Sequence, residues 1–301
     1  MFLKKLFTKF KNKNEYQHLK DEDKIFKSAE IFKANFKSQI EDINKIILEQ
    51  KNLNFLHSGH AADIINVLPV IKELSKNHTC NLFININKPI NYYFKHPAGK
   101  YYLNEKIFKM LYPLVSNQNY INKFQLYKNE KIDINFDLIR ELPINLLFDN
   151  TRYATLLTGI HPDLSSEFLD AEFHRSIKDY VVIQRTFRYR NQFINYKFIN
   201  NFKKILFIGV KEEFDDLKKS VNNCEFYDCK DFMEMAQIIK SSKFTIGNSS
   251  LAFPIAEGLK IPRLLEGCPY FPAAQPHGKD GYDFYFQDQF ERLFSKLYEK
   301  N

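Results

Sequence analysis

The stretch that decides the reading is Lys243–Gly278, KFTIGNSSLAFPIAEGLKIPRLLEGCPYFPAAQPHG. Phe244, Thr245 and Ile246 are β-prone and follow a polar break at Ser241-Ser242-Lys243, so they predict a buried strand. Gly247, Asn248, Ser249 and Ser250 make a tight turn. A helix is expected through Leu251, Phe253, Ile255, Ala256 and Leu259, with Ser249 or Ser250 as its N-cap. Pro254 falls in the first turn, where a missing N–H costs nothing. Ile261-Pro262-Arg263-Leu264-Leu265 resumes extended chain. A small, hydroxyl-rich turn at a helix start gathers unpaired N–H groups, a positive helix end and serine donors at one spot. It is either an anion site or an ordinary capped helix.

Working outward, strand and helix patterns alternate every ten to twenty residues. Tyr180–Gln184, Ile205–Ile208 and Cys224–Tyr227 predict strands, and Glu212–Ser220 and Asp231–Lys240 predict helices. This alternation argues for a parallel sheet with helices on both faces. The same grammar appears earlier. Leu53, Phe55 and Leu56 predict a first strand, His57-Ser58-Gly59-His60 a loop, and Ala61–Leu74 a helix with Ile64, Ile65, Leu68 and Ile71 inward. Cys80–Asn85, Phe124–Tyr127 and Ile144–Phe148 are further strand candidates. Asn91–Ile121 reads as irregularly helical with Pro97 and Pro113 as breaks, and Phe286–Tyr298 as a last amphipathic helix. The expected organisation is a helical extension over 1–50, a Rossmann-like domain over 51–176, a second over 177–285 and a closing helix over 286–301.

Composition narrows the class. The 301 residues carry a net charge of +8 and are 44% hydrophobic, with thirty Phe and seventeen Tyr. Such a chain supports an aromatic-rich core and favours anionic partners. The lysines are dispersed and no DNA or RNA motif occurs, so nucleic acid is not an expected partner. The four cysteines form no CxxC pair, which reads as free thiols in a reducing cytosol. No apolar run approaches the ~18 residues of a membrane span, and lysines interrupt the N-terminal apolar stretch, so no signal peptide is read. In residues 1–14, MFLKKLFTKFKNKN, an apolar face alternates with five lysines and no acid. That pattern suits either an anionic membrane surface or a frayed terminus.

Ala62-Asp63-Ile64-Ile65-Asn66-Val67-Leu68-Pro69, together with the Asn248-Ser249-Ser250-Leu251 turn and Ile255-Ala256-Glu257-Gly258-Leu259, is similar to family-9 glycosyltransferases, the lipopolysaccharide heptosyltransferase-like enzymes of GT-B fold. The resemblance covers residues 52–74 and 180–278. It implies an α/β fold of two Rossmann-like domains facing a cleft, with the acceptor in the first and a nucleotide-sugar donor in the second. Three positions depart from the family pattern: Ala62 replaces a glycine, Asn248 an aspartate and Phe253 a histidine. They bear on the donor more than on the fold.

The implied reaction is inverting glycosyl transfer, with no metal and no cofactor, the nucleotide sugar being a substrate. The implied acceptor is a cell-surface glycan or glycolipid, met at the inner face of the membrane. Asp63 is the candidate base, or a first-turn carboxylate that only stabilises its helix. His60 is the reserve base, and His57, Ser58 and Gly59 form the acceptor side. Arg185, Thr186, Arg188, Gly209, Asn248, Ser249, Ser250 and Leu251 are the donor-side candidates. The arginines are otherwise solvated surface charge. Glu257 is either a ribose ligand or an exposed helix carboxylate, and His277 reads as a loop residue. A sugar-nucleotide epimerase of the same fold, or a degenerate GT-B module that binds a glycan or a partner, is the alternative.

Overall fold

The computed structural model describes residues 8–91, 96–141 and 149–300. The chain opens with α1 (Lys13–Asn35) and α2 (Lys37–Glu49). The first α/β unit follows: β1 (Asn52–His57), α3 (Ala61–Leu74), β2 (Thr79–Ile84), α4 (Glu105–Ser116), β3 (Lys123–Leu126) and the two-residue β4 (Ile134–Asn135). A 3-10 turn, Phe136–Glu141, continues from β4, and α5 (Tyr153–Thr158) lies beyond it. The second unit contains β5 (Val181–Gln184), β6 (Ile205–Ile208), α6 (Lys211–Lys218), β7 (Cys224–Tyr227), α7 (Phe232–Lys240), β8 (Phe244–Gly247), α8 (Ala252–Leu259), β9 (Arg263–Glu266), β10 (Gly281–Phe284) and α9 (Gln287–Lys300).

All strand pairings in both sheets are parallel. The first sheet has the order β3-β2-β1-β4, the second β10-β9-β8-β5-β6-β7. Each therefore winds outward in two directions from one point. In the first sheet that point is between β1 and β4. In the second it is between β5 and β8. At such switch points the loops leave in opposite directions and open a crevice at the carboxyl edge, where open α/β sheets take their ligands.

The helix expected over Ala61–Leu74 forms with those limits. Its sequence is apolar nearly all round, and Ile64, Ile65, Val67, Leu68, Val70 and Ile71 are all buried. A helix of that kind needs cover on every side. α3 has it, packing against α5 and against α8 of the second unit, while α4 packs on α7. One core cluster consequently runs through both units. A second cluster, rich in Phe, lies under α9, where Phe290, Phe294 and Leu297 meet Phe244 and Phe284. At α8, the carbonyl of Gly258 accepts from the N–H groups of Phe168 and Leu169 at 2.9 and 3.0 Å. A Cβ at Gly258 would press on both side chains at under 3 Å, so the close approach requires glycine.

Two points differ from the sequence reading. Pro113 lies inside α4 rather than breaking it. It sits in the last turn, where the carbonyl it leaves unbonded belongs to exposed Lys109, and buried Leu111, Leu114 and Val115 hold the turn in place. Strand β10 has no counterpart in the sequence reading, because Gly281-Tyr282-Asp283-Phe284 lacks a β-branched run. The strand candidate Ile144–Phe148 and residues 1–7 lie outside the described residues.

Candidate active site at two facing switch points

The first switch point carries a dense charge cluster. β1 ends at His57, and the loop Ser58-Gly59 turns into α3 through His60, whose backbone is extended (φ −64°, ψ 161°) as the N-cap. Asp63, three residues on, closes a capping box. Its Oδ2 accepts from the His60 N–H at 3.1 Å, meets His60 Nδ1 at 3.2 Å and accepts from Arg140 Nη2 at 3.1 Å. Among the described residues no hydrogen bond falls on Oδ1. The Asp63 side chain is 35% exposed. Burial opposes its charge, but the His60 hydrogen bond and the charges of His60 and Arg140 outweigh that and hold the carboxyl well below the usual carboxylate range.

Arg140 comes from the 3-10 turn after β4, the other strand of the switch point. Its second nitrogen, Nη1, donates to Asp137 Oδ1 at 2.7 Å. Asp137 is buried and also accepts from the Ser58 N–H at 3.0 Å, from the Ser58 hydroxyl and from Lys88 at 3.3 Å. The guanidinium lies over the Tyr102 ring, 4.7 Å from its centroid. His57 is buried, and burial followed by the Arg140 charge lowers it to about 4. It is therefore neutral, and its Nδ1 accepts from the Gly59 N–H at 2.8 Å. A Cβ at Gly59 would collide with Arg140, His57 and Asp63 together, so only glycine admits the arginine at this loop.

The second switch point is built from neutral groups. Gln184 ends β5 beside Gly247 of β8. Its Oε1 accepts from the Ser250 hydroxyl and from the Ala252 N–H, both at 2.8 Å. This corrects the expected cap: neither serine caps α8, whose N-cap position is Leu251 without a side-chain bond. A glutamine from the neighbouring strand does that work. Asn248 is fully buried. Its Oδ1 accepts from the Thr186 N–H at 3.2 Å, and its Nδ2 donates to the carbonyls of Thr186 and Arg188 at 3.0 and 2.6 Å. The amide thus staples the 185–190 loop to the turn. Among the described residues the Ser249 hydroxyl has no partner. Gly209, after β6, packs against the Gln184 side chain.

Several donor-side candidates are otherwise engaged. Arg185 pairs bidentately with Glu266, at 2.7 and 2.9 Å, over the Tyr196 ring. Glu266 is fully buried and also accepts from the Asn191 N–H and the Tyr196 hydroxyl. Arg185 is therefore neither solvated nor open to a ligand. Glu257 is 1% exposed, not a surface carboxylate. It takes Lys260, Arg263 Nε at 2.5 Å and the His277 N–H, which leaves no oxygen for a ribose. His277 is more than a loop residue: its Nε2 lies 2.6 Å from Asp149 Oδ2, a pair that joins the two units.

The two switch points face each other. Burial raises the Tyr189 hydroxyl above its ordinary value. Arg188 opposes that rise, and Asp63 of the other unit adds to it. On the opposite wall, burial and then the charges of Arg188 and His60 lower His96 to about 4. The Asn150 N–H donates to the Ala273 carbonyl at 2.8 Å, a backbone bond across the units. Asp137, Arg140, Lys88, Tyr102, Gln184, Tyr189 and Glu266 were not read from the sequence. Each acts through a partner dozens of residues away or through an isolated loop position, which no periodicity marks. Among the described residues no three His, Cys, Asp or Glu stand together as a metal site, and no helix is long and apolar enough to cross a membrane.

No protein-family model matches the chain, and no curated protein matches it. Solved structures do. A glycosyl transferase family 9 protein from Veillonella parvula aligns with TM-score 0.55 at 11% identity, covering 83% of this chain and 98% of that one. The E. coli heptosyltransferase WaaC, with ADP-2-deoxy-2-fluoro heptose, aligns with TM-score 0.52 at 8% identity, covering 81% and 99%. At these identities the likeness is one of fold, and the fold of this chain is the two-unit GT-B fold of those glycosyltransferases.

Proposed function

We infer that the protein is an inverting, metal-independent glycosyltransferase that moves a sugar from a nucleotide-sugar donor to a cell-surface glycan or glycolipid of the lipopolysaccharide type. The observation that carries this reading is the pairing of unlike switch points: an ionised carboxylate with one open oxygen faces a neutral, donor-rich turn. The donor diphosphate would rest on the turn, held by the Ser249 hydroxyl, the N–H groups of Ser249 and Leu251 and the Arg188 guanidinium, while Thr186, whose N–H and hydroxyl bond Asn248 and the Arg188 carbonyl, shapes the loop. These groups supply hydrogen bonds and charge to the leaving phosphate without a cation. Asp63 Oδ1 would take the acceptor hydroxyl proton as its oxygen attacks the anomeric carbon from the face opposite the leaving group. General-base help of this kind is worth on the order of 10²–10⁴-fold. His60 positions the carboxylate, and His57, Ser58 and Gly59 back the acceptor wall.

Residues 1–14 would bring the enzyme to an anionic membrane surface on the cytoplasmic side. Phe10 is 83% exposed, and Lys9, Lys11 and Lys13 beside it are exposed too, which is the composition such a contact uses.

The test is a panel of nucleotide sugars in a thermal-shift assay, followed by NMR of the product's anomeric centre. A donor held at 100-fold its Kd adds about 2.7 kcal/mol of stability, and the product's anomeric configuration should be opposite to the donor's. Retention of configuration would sink the inverting mechanism. Failure of every nucleotide sugar to bind would sink the transferase reading.

A further inference from the structure

Arg140 lies 77 residues from Asp63 in sequence, in a short turn with no motif, yet it is the residue on which the first switch point is assembled. Its two terminal nitrogens are shared between two carboxylates, Asp63 at 3.1 Å and Asp137 at 2.7 Å. Asp137 is fixed in turn by both polar groups of Ser58, and Tyr102 covers one face of the guanidinium. Gly59 gives up its side chain at the point where the arginine passes. A planar fork held on three sides cannot rotate, and neither can the carboxylate oxygen it grips. Every donor on Asp63 falls on Oδ2. The carboxylate is thereby presented with one oxygen clamped and the other without a hydrogen bond among the described residues.

We propose that Arg140 is a positioning residue for the transfer reaction: it fixes Asp63 with Oδ1 aimed at the acceptor hydroxyl and keeps it ionised. This rests on the transferase reading of the site. The arginine holds the base and does not touch the acceptor. Its charge also matters. It adds to the His60 hydrogen bond and charge in keeping the carboxyl ionised against the burial that opposes it. The other groups that face the pair are His57 at the end of β1, His60 at the start of α3, Asp137, Lys88, Tyr102, Tyr153 of α5 and Tyr189 of the second unit. Of these, only His60 donates to the same oxygen.

Two variants of the full chain separate charge from geometry, Arg140→Met and Arg140→Lys. One readout needs no substrate: the Asp63 carboxyl carbon is followed by NMR as pH is varied. In Arg140→Met the Asp63 midpoint should rise by at least one pH unit, and in Arg140→Lys it should stay near that of the wild type. The second readout is nucleoside diphosphate release from the panel of nucleotide sugars, with water as acceptor. Release should fall at least tenfold in both variants, and the acid limb of its pH profile should move up only in Arg140→Met. An unchanged Asp63 midpoint in folded Arg140→Met, or wild-type release by Arg140→Lys, overturns the proposal. Should Arg140→Met not fold, the lysine variant alone decides it through its release rate. If the wild type itself releases nothing from any nucleotide sugar, it is the transferase reading that fails, and the NMR midpoints report separately on the clamp.

Discussion

The two switch points solve the same positional problem with opposite chemistry. At the first, five ionisable side chains, Asp63, Asp137, Arg140, Lys88 and His60, form one ion-pair network, with His57 buried beside it. At the second, the groups that shape the turn are Gln184, Asn248, Thr186, Ser249 and Ser250, none of them charged. Two carboxylates of that unit, Glu257 and Glu266, are buried behind it and paired with Arg263, Lys260 and Arg185, and two more, Glu213 and Asp216, bond the Phe187 N–H and Arg190 of the 185–190 loop. The difference is instructive. A face that is to remove a proton needs a carboxylate and the cations that keep it ionised. A face that is to hold a diphosphate needs donors and must keep anions away from it. Asn248 fits that division, since its amide donates to two carbonyls that a carboxylate would repel.

The largest effect should come from confusing the two kinds of arginine in the second unit. Arg185→Ala strands Glu266, which is fully buried, so the variant should lose roughly 3–5 kcal/mol of stability in urea unfolding. Arg188→Ala strands no fully buried carboxylate, so it should cost less stability than Arg185→Ala and weaken nucleoside diphosphate binding by about 1.5–3 kcal/mol. Equal effects from the two would erase the distinction between a brace and a ligand.

Next is the pH response of the first switch point. His57 is held near 4 in the folded chain, first by burial and then by Arg140, against an ordinary value of 6.5. A depressed histidine leaves the unfolded chain holding more protons between those values. Its contribution is therefore complete above about pH 6.5 and lost as pH falls toward 4, by roughly 3 kcal/mol. His57→Gln should flatten that part of the stability profile. A profile unchanged by the substitution would mean that His57 is not the group that titrates.

A smaller effect is expected from giving the second switch point the charge of the first. Asn248→Asp replaces two donations, at 3.0 and 2.6 Å, by repulsion, and sets an anion beside the proposed phosphate site. Donor affinity should fall about tenfold or more, about 1.4 kcal/mol, with a stability loss of about 1–3 kcal/mol. Tighter donor binding would show that the turn does not take phosphate.

How much of this could be read in advance follows the same division. The second switch point is local. Gly247-Asn248-Ser249-Ser250 announces a turn between a strand and a helix, and the residues that form it are adjacent in sequence. Even there the cap was missed, because Gln184 reaches it across 68 residues. The first switch point is legible only in part. The β1 pattern and the helix at Ala61–Leu74 were clear from their periodicity, and Asp63 from its place in the first turn. Arg140 and Asp137 were not, because a 3-10 turn has too few residues to show a period and their partners lie 77 and 79 residues away. Glu257 was misjudged for a related reason. Its cations, Lys260 and Arg263, are close in sequence, but the bend into β9 that brings Arg263 back against it is tertiary.

The most direct test of the division is Asp63→Asn, assayed for donor binding and turnover with whichever nucleotide sugar the panel selects. The substitution keeps the size of the side chain and removes its basicity. If the first switch point does the proton chemistry and the second holds the donor, turnover should fall about 10²-fold or more, while the donor Kd stays within several-fold of the wild type. Near-normal turnover would exclude Asp63 as the base. Donor affinity lost in parallel with turnover would contradict the account just as directly, since it would put donor binding on the charged side of the cleft.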